Sequence, residues 1–188
     1  MPTMTRTRIL LVADRSVWSD LAMQYLFATT ADVVVARWER GEERPRIEDW
    51  RGDWLLSFKS DLILSDIELR RAEQSAINFH PAPPHYRGIG GYCYAALSGD
   101  THFGVTCHHM ISAVDYGPII EVAYFPIVDG ESMNALKLRA ATQLLVLFQN
   151  IVMTILRGGR LPTSVEQWRG PLRTRRELKQ FLESNKTE

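Results

Sequence analysis

The chain has 188 residues, 45% of them hydrophobic and 23% charged, which suits ordinary folded material. At about 100–200 residues per domain, one core is expected, large enough to need no disulfide or metal staple. Lysine plus arginine equals aspartate plus glutamate, 22 of each, so net charge gives no case for a nucleic-acid or membrane partner.

Residues 1–7 read as a loose leader and 8–13 (RILLVA) as a buried first strand. That apolar run is too short for a signal peptide and meets Asp14 and Arg15 at once. Ser16 or Ser19 is placed to cap a helix carrying Leu21, Ala22, Tyr25 and Leu26 on one face. Residues 33–36 form a second strand, and strand–helix–strand order with apolar strands predicts parallel pairing through right-handed crossovers. The first turn has no G-x-G-x-x-G, so a dinucleotide site is not supported. Trp18, just after it, has two readings, stacking on a ligand ring or plain packing.

Residues 39–53 are charged, contain Pro45 and read as a mobile surface excursion. A third strand covers 54–58 (WLLSF), and a helix is expected over 67–73. Strand four covers 76–79, a short helix 92–97, strand five 103–110 and strand six 119–125. Ser132 caps a long helix over 133–156, whose apolar residues exceed one stripe; it is either deeply packed or half buried in a partner. No run reaches the ~18 apolar residues of a membrane span. Thr174 and Glu177 have capping-box spacing for a last helix to Leu182, and the tail beyond Ser184 is expected to be disordered. Cys93 and Cys107 form no C-x-x-C pair, which predicts two buried free thiols in a reducing cytoplasm.

The stretch 76–91, AINFHPAPPHYRGIGG, organises the rest. Strand alternation puts Asn78 and His80 on one side. Pro81, Pro83 and Pro84 end the strand in a stiff extended loop, and Gly88, Gly90 and Gly91 let backbone approach a ligand. Polar groups at a strand's carboxyl end are where open α/β sheets bind ligands. Downstream, VTCHHMISAVDYGPI (105–119) carries Asp115 before Gly117. His108 and His109 are adjacent on a strand and face opposite ways; one is assigned beside the site, the other to the core. No histidine or cysteine spacing matches a zinc site, and no metal is expected.

Together these segments resemble the folate-dependent formyltransferases: Asn-x-His-Pro at a strand end, a proline loop, a glycine turn and a later Asp-x-Gly. Pro-Ala-Pro-Pro after His80, Val-Thr-x-His-His-Met and the late Trp168…Thr174-Arg175-Arg176-Glu177-Leu178 are most similar to the sugar N-formyltransferases within that family. The resemblance implies an α/β, Rossmann-like fold: a mostly parallel twisted sheet flanked by helices, with a short helical C-terminal extension. The catalytic domain would span 1–160 and the extension 161–188. It implies 10-formyltetrahydrofolate as co-substrate and the amine of a nucleotide-linked deoxyamino sugar as acceptor. Asn78 and His80 would stabilise the tetrahedral intermediate while Asp115 assists proton transfer. Leu62, Ile63, Leu64, Met110, Ile111 and Val114 would line the folate slot. Tyr86, Arg87, Gly88 and Tyr92 would meet the acceptor. The open alternatives are another amine, such as a carrier-bound amino acid, a hydrolase releasing formate, and a folate-binding relative without turnover. A homodimer through the 133–156 helix or the C-terminal segment is a further expectation.

Overall fold

A computed structural model describes residues 7–185; the expectations for 1–6 and 186–188 lie outside the described residues. Six strands form one sheet in the order β2-β1-β3-β4-β5-β6. They are β1 (Arg8–Ala13), β2 (Asp32–Arg37), β3 (Gly52–Phe58), β4 (Ala72–His80), β5 (His102–His109) and β6 (Ile119–Pro126). The first four run parallel, and β5 and β6 continue antiparallel. The helices are α1 (Val17–Thr29), the one-turn α2 (Asp66–Leu69), α3 (Gly91–Ser98), α4 (Met133–Leu156) and α5 (Arg175–Ser184).

Strand alternation divides the interior in two. One set of side chains, among them Leu11, Phe58, Ile77, Phe79 and Val105, packs under α1 and α4. Phe58, Phe79 and Phe148 of α4 meet in tilted and edge-to-face contacts at 4.9–6.2 Å between ring centres. The opposite set, with Leu10, Val12, Leu55 and Ala76, packs against Ile47, Trp50, Leu62, Leu64 and Leu69, with Trp38 and Met110 at its margin. Among the described residues no long helix lies on that second face, which stays open at the carboxyl ends of the strands. Asn78 and His80 have the parity of that open face.

Three expectations are corrected. Residues 39–53 are anchored rather than loose: Ile47 and Trp50 are 2% and 7% exposed, and Arg44 reaches the buried Glu68 at 2.8 Å. The helix expected over 67–73 is one turn, because a Ser65–Glu68 capping box opens it and the chain pairs with β3 from Ala72 onward. Ser16 takes the cap position of α1 without a capping bond, and Ser19 is buried, donating to Asp14. The remaining caps match the sequence: Ser132 accepts from the Ala135 N–H, and Thr174 and Glu177 complete their box. By length and composition α4 is long and apolar enough to cross a membrane. Its apolarity is met by the sheet, α1 and α3, while Leu138 and Val146 stay on its outer face. Cys93 and Cys107 are free and buried. Trp18 packs against the larger core.

Candidate active site

The carboxyl end of β4 and the start of β5's exit lie side by side, since Asn78 pairs with His108 and His80 with Thr106 across the ladder. Antiparallel partners opposite each other share a face. That register alone gathers Asn78, His80 and His108. The β5–β6 connection then folds Asp115 onto them from above. His80 Nδ1 is 3.4 Å from Asp115 Oδ2, and His108 Nε2 is 3.5 Å from Asp115 Oδ1. Asn78 Nδ2 lies 3.1 Å from His108 Nε2 and 3.5 Å from Asp115 Oδ1. His80, His108 and Asp115 are all buried, at 4%, 2% and 6% exposure.

The backbone is built for this approach. Asp115 holds φ +46, a left-handed conformation that Asp tolerates better than most residues. Arg87 braces the turn from outside, donating from Nε to the Asp115 carbonyl at 2.7 Å while its guanidinium lies over the Tyr116 ring. Gly117 has no room for a side chain, since a Cβ there would overlap the His109 carbonyl oxygen. Gly88, at φ +82, donates its N–H to Asp115 Oδ2 at 2.8 Å and bridges to Arg173. Burial alone raises the Asp115 carboxyl, but the charge of His80, the nearby His108 and the Gly88 N–H outweigh it. They hold Asp115 at about 2.

Carbonyl partners fix the imidazole nitrogens. His80 Nε2 faces the Tyr86 carbonyl at 2.8 Å, and a carbonyl only accepts, so Nε2 carries a proton. Nδ1 is therefore the nitrogen that exchanges protons with the cavity. His108 Nδ1 donates in the same way to the His109 carbonyl at 2.8 Å, leaving Nε2 to accept from the Asn78 amide. One Asn78 N–H is thus anchored on His108. The other makes only the long contact to Asp115, at the limit of a hydrogen bond, and is free to be redirected.

These groups end a cavity of about 440 Å³. Leu62, Ile63, Leu64, Met110, Ile111 and Val114 all line it, with Leu62 and Leu64 only 4% exposed. They give this part of the cavity an apolar lining, which suits a flat heterocycle. Gly88 and Tyr92 also line the cavity. Tyr86 and Arg87 do not. A tight turn, Tyr86 N–H to the Pro83 carbonyl, sends the Tyr86 ring back toward Tyr94 and Phe103, with its hydroxyl on Asp100. Arg87 is spent on the Asp115 loop.

Sequence reasoning left one part of the site undecided and missed two others. His108 faces it directly, while His109 is half-buried on the other face, bonded to Ser75 at 2.7 Å rather than in the core. The signal for choosing between them was the pairing with Asn78. Asp14 and Lys59, 3.7 Å apart at the ends of β1 and β3, form the far wall where the strand order reverses. Lys59 sits at φ +52, which no sequence pattern announces. Trp168 lies with ring centres 4.9 Å from His108 and 5.9 Å from His80.

Residues 47–149 match the family model described as formyl transferase. Methionyl-tRNA formyltransferase of Limosilactobacillus fermentum is 35% identical over 86 residues, 45% of this chain and 27% of that protein, so the match spans about a quarter of that relative's length. Among solved structures, the N-formyltransferase of Helicobacter canadensis, in complex with folinic acid and dTDP-3-aminofucose, superposes with a TM-score of 0.76 at 16% identity, over 89% of this chain and 71% of that one. The formyltransferase PseJ of Anoxybacillus kamchatkensis, in complex with UDP-4,6-dideoxy-4-formamido-L-AltNAc and tetrahydrofolate, gives 0.73 at 19%, over 94% and 90%. At such identities the structural likeness is one of fold, and it agrees with the six-stranded Rossmann-like sheet. The match over 47–149 spans β3, β4, the whole of the Asn78–His80–Asp115 constellation and most of α4, and on it the chain belongs to the formyl transferase family.

Proposed function

We propose that this protein transfers a formyl group from a 10-formyltetrahydrofolate donor to the primary amine of a nucleotide-linked deoxyamino sugar. The observation that carries the reading is the convergence of Asn78, His80 and a strongly ionised Asp115 at one end of an apolar slot. Folate ligands and nucleotide-linked sugars in the solved neighbours support the choice of donor and acceptor.

The donor supplies the formyl carbon; the rest falls to the chain. When the acceptor nitrogen attacks, negative charge grows on the formyl oxygen. The loosely held Asn78 N–H turns toward that oxygen as an uncharged donor. His80 Nδ1 takes the proton released by the attacking nitrogen, since Nε2 is committed to Tyr86. The imidazolium so formed lies against Asp115, already ionised at any pH above about 4. His108 keeps the Asn78 amide pointing the right way. Leu62, Leu64 and Met110 exclude water from the slot, which strengthens these interactions. As the tetrahedral intermediate collapses, the oxyanion's electrons restore the carbonyl, the bond from the formyl carbon to the donor's N10 breaks, and the His80 imidazolium gives its proton to N10, so tetrahydrofolate leaves and no covalent enzyme intermediate is required.

The test mixes purified protein with 10-formyltetrahydrofolate and a panel of nucleotide-linked amino sugars, following product mass. Melting curves with a stable folate analogue report binding; at about 100 times its dissociation constant a ligand adds roughly 2.7 kcal/mol. The expected result is a formylated sugar, and a His80→Ala variant with the folate shift but no turnover. A folate shift with no sugar product would move the acceptor to another amine. No shift at all would sink the reading.

A further inference from the structure

The half-buried Trp168 lies in the irregular segment between α4 and α5, outside the residues that match the family model. Its neighbours point outward: Val165 is 96% exposed, and Gln167 and Arg169 are exposed as well. Trp168 turns in, and it touches three parts of the site at once. Its indole Nε1 donates to the Gly117 carbonyl at 2.6 Å, two residues past Asp115. Its ring stands at 88° to the His108 imidazole and at 66° to that of His80.

The segment around it is pinned on both sides of the site. Ser164 N–H bonds to the Ile119 carbonyl, at the start of β6. Arg169 N–H bonds to the Pro84 carbonyl, and Arg173 exchanges two backbone bonds with Arg87 and Ile89. Gly170, at φ +69, packs so near the His85 carbonyl that a Cβ would crowd it. The strap therefore ties the proline loop after His80 to the loop that carries Asp115. Nothing in the Asn-x-His-Pro or Asp-x-Gly motifs encodes that tie.

We propose that Trp168 is a positioning residue: it holds the imidazoles of His80 and His108 and the Asp115–Gly117 turn in the arrangement that formyl transfer needs. The proposal rests on formyl transfer as the chemistry of this site. The aromatic ring does what a plain apolar filler cannot. Its broad, rigid ring meets both imidazoles edge-to-face and so limits their rotation. Its N–H fixes the carbonyl that follows the strained Asp115. The other titratable or charged groups about the two rings are the Asp115 carboxylate, the His109 imidazole next along β5 and the Arg87 guanidinium behind the Asp115 turn.

The experiment compares Trp168→Phe with Trp168→Leu. Both lose the bond to Gly117; only Phe keeps an aromatic ring against the histidines. The readouts are kcat and KM taken separately, the melting shift with the folate analogue, and the nitrogen NMR signals of the His80 and His108 rings at one fixed pH, which report which ring nitrogen carries the proton and need no turnover. In the Leu variant the two rings should lose their single tautomer pattern and kcat should fall by about tenfold, with KM for the folate donor and folate binding unchanged. The Phe variant should keep the parent pattern and recover most of the rate, the remainder being the lost Gly117 bond. A parent-like tautomer pattern and kcat in the Leu variant, with only a lower melting temperature, would make Trp168 a packing residue and overturn the proposal. If the Leu variant does not fold, the Phe variant decides: a changed tautomer pattern despite its retained ring overturns the idea, and a parent-like pattern supports it. A parent protein without formyl transfer would overturn the function while the tautomer patterns still judged Trp168.

Discussion

Replacing Asp115 by Asn separates charge from shape at the centre of the site. Asn keeps the volume, tolerates the left-handed backbone at φ +46 and leaves one oxygen for the Gly88 N–H. What it removes is the negative charge facing two imidazoles. The facing imidazoles, His80 first, and the Gly88 N–H are why the carboxyl sits at about 2, against an ordinary 3.8. A shift of nearly two units corresponds to about 2 kcal/mol of stability contributed by the ionised form. The sign follows from the direction. The folded value is the lower one, so the contribution is fully present well above 3.8 and drains away as pH falls toward 2. Urea unfolding of the parent and of Asp115→Asn at about pH 5 and about pH 3 measures it. The parent's advantage over the variant should shrink by roughly 1 kcal/mol between those two points, or about 2–4 °C in melting temperature. An advantage that stays constant over that range would mean that Asp115 is not held low by its histidine neighbours, and the electrostatic account of the site would fail. Turnover at neutral pH should drop about 100- to 10,000-fold in the same variant.

Two further substitutions probe the scaffold. Gly117→Ala drives a methyl into the His109 carbonyl and should cost about 1–3 kcal/mol by denaturant titration, with turnover falling further than stability because the Asp115 loop must move. Phe148→Ala opens the ring cluster with Phe58 and Phe79 behind β4; a loss of about 3–5 kcal/mol is expected, and a loss below 1 would show that the two strands do not depend on α4.

What the sequence makes legible here is what one residue type at one position requires. Ser65 with Glu68 and Thr174 with Glu177 carry their capping partners three residues away, so local spacing suffices for them. Asn78 and His80 share a face by strand parity, and Pro81 ends their strand. Leu62, Ile63 and Leu64 lie in an irregular segment with no strand parity to read, and their assignment to the slot rests on the family resemblance alone. The failures have the opposite character. Ile47 and Trp50 sit in a charged stretch and read as surface, but the second sheet face has no long helix of its own, so whatever apolar residues pass over it are drawn in. The turn at Pro83 aims Tyr86 away from the cavity, and this depends on a single backbone bond. His108 and His109 could not be told apart until β5 was known to run antiparallel to β4, which sets His108 opposite Asn78.

That last case shows how the fold produces the function. The first four strands obey the parallel logic of α/β sheets and place a crevice at their carboxyl ends. A parallel fifth strand would need a crossover through that crevice or around it. Reversing β5 instead lets its far end and the loop to β6 return over the ends of β4. The reversal puts an imidazole beside an amide by register and a carboxylate above both by a short loop. The antiparallel edge is thus the part of the sheet that turns an ordinary ligand crevice into a site with three converging polar groups, and its geometry depends on two loops that a C-terminal strap holds at a fixed distance.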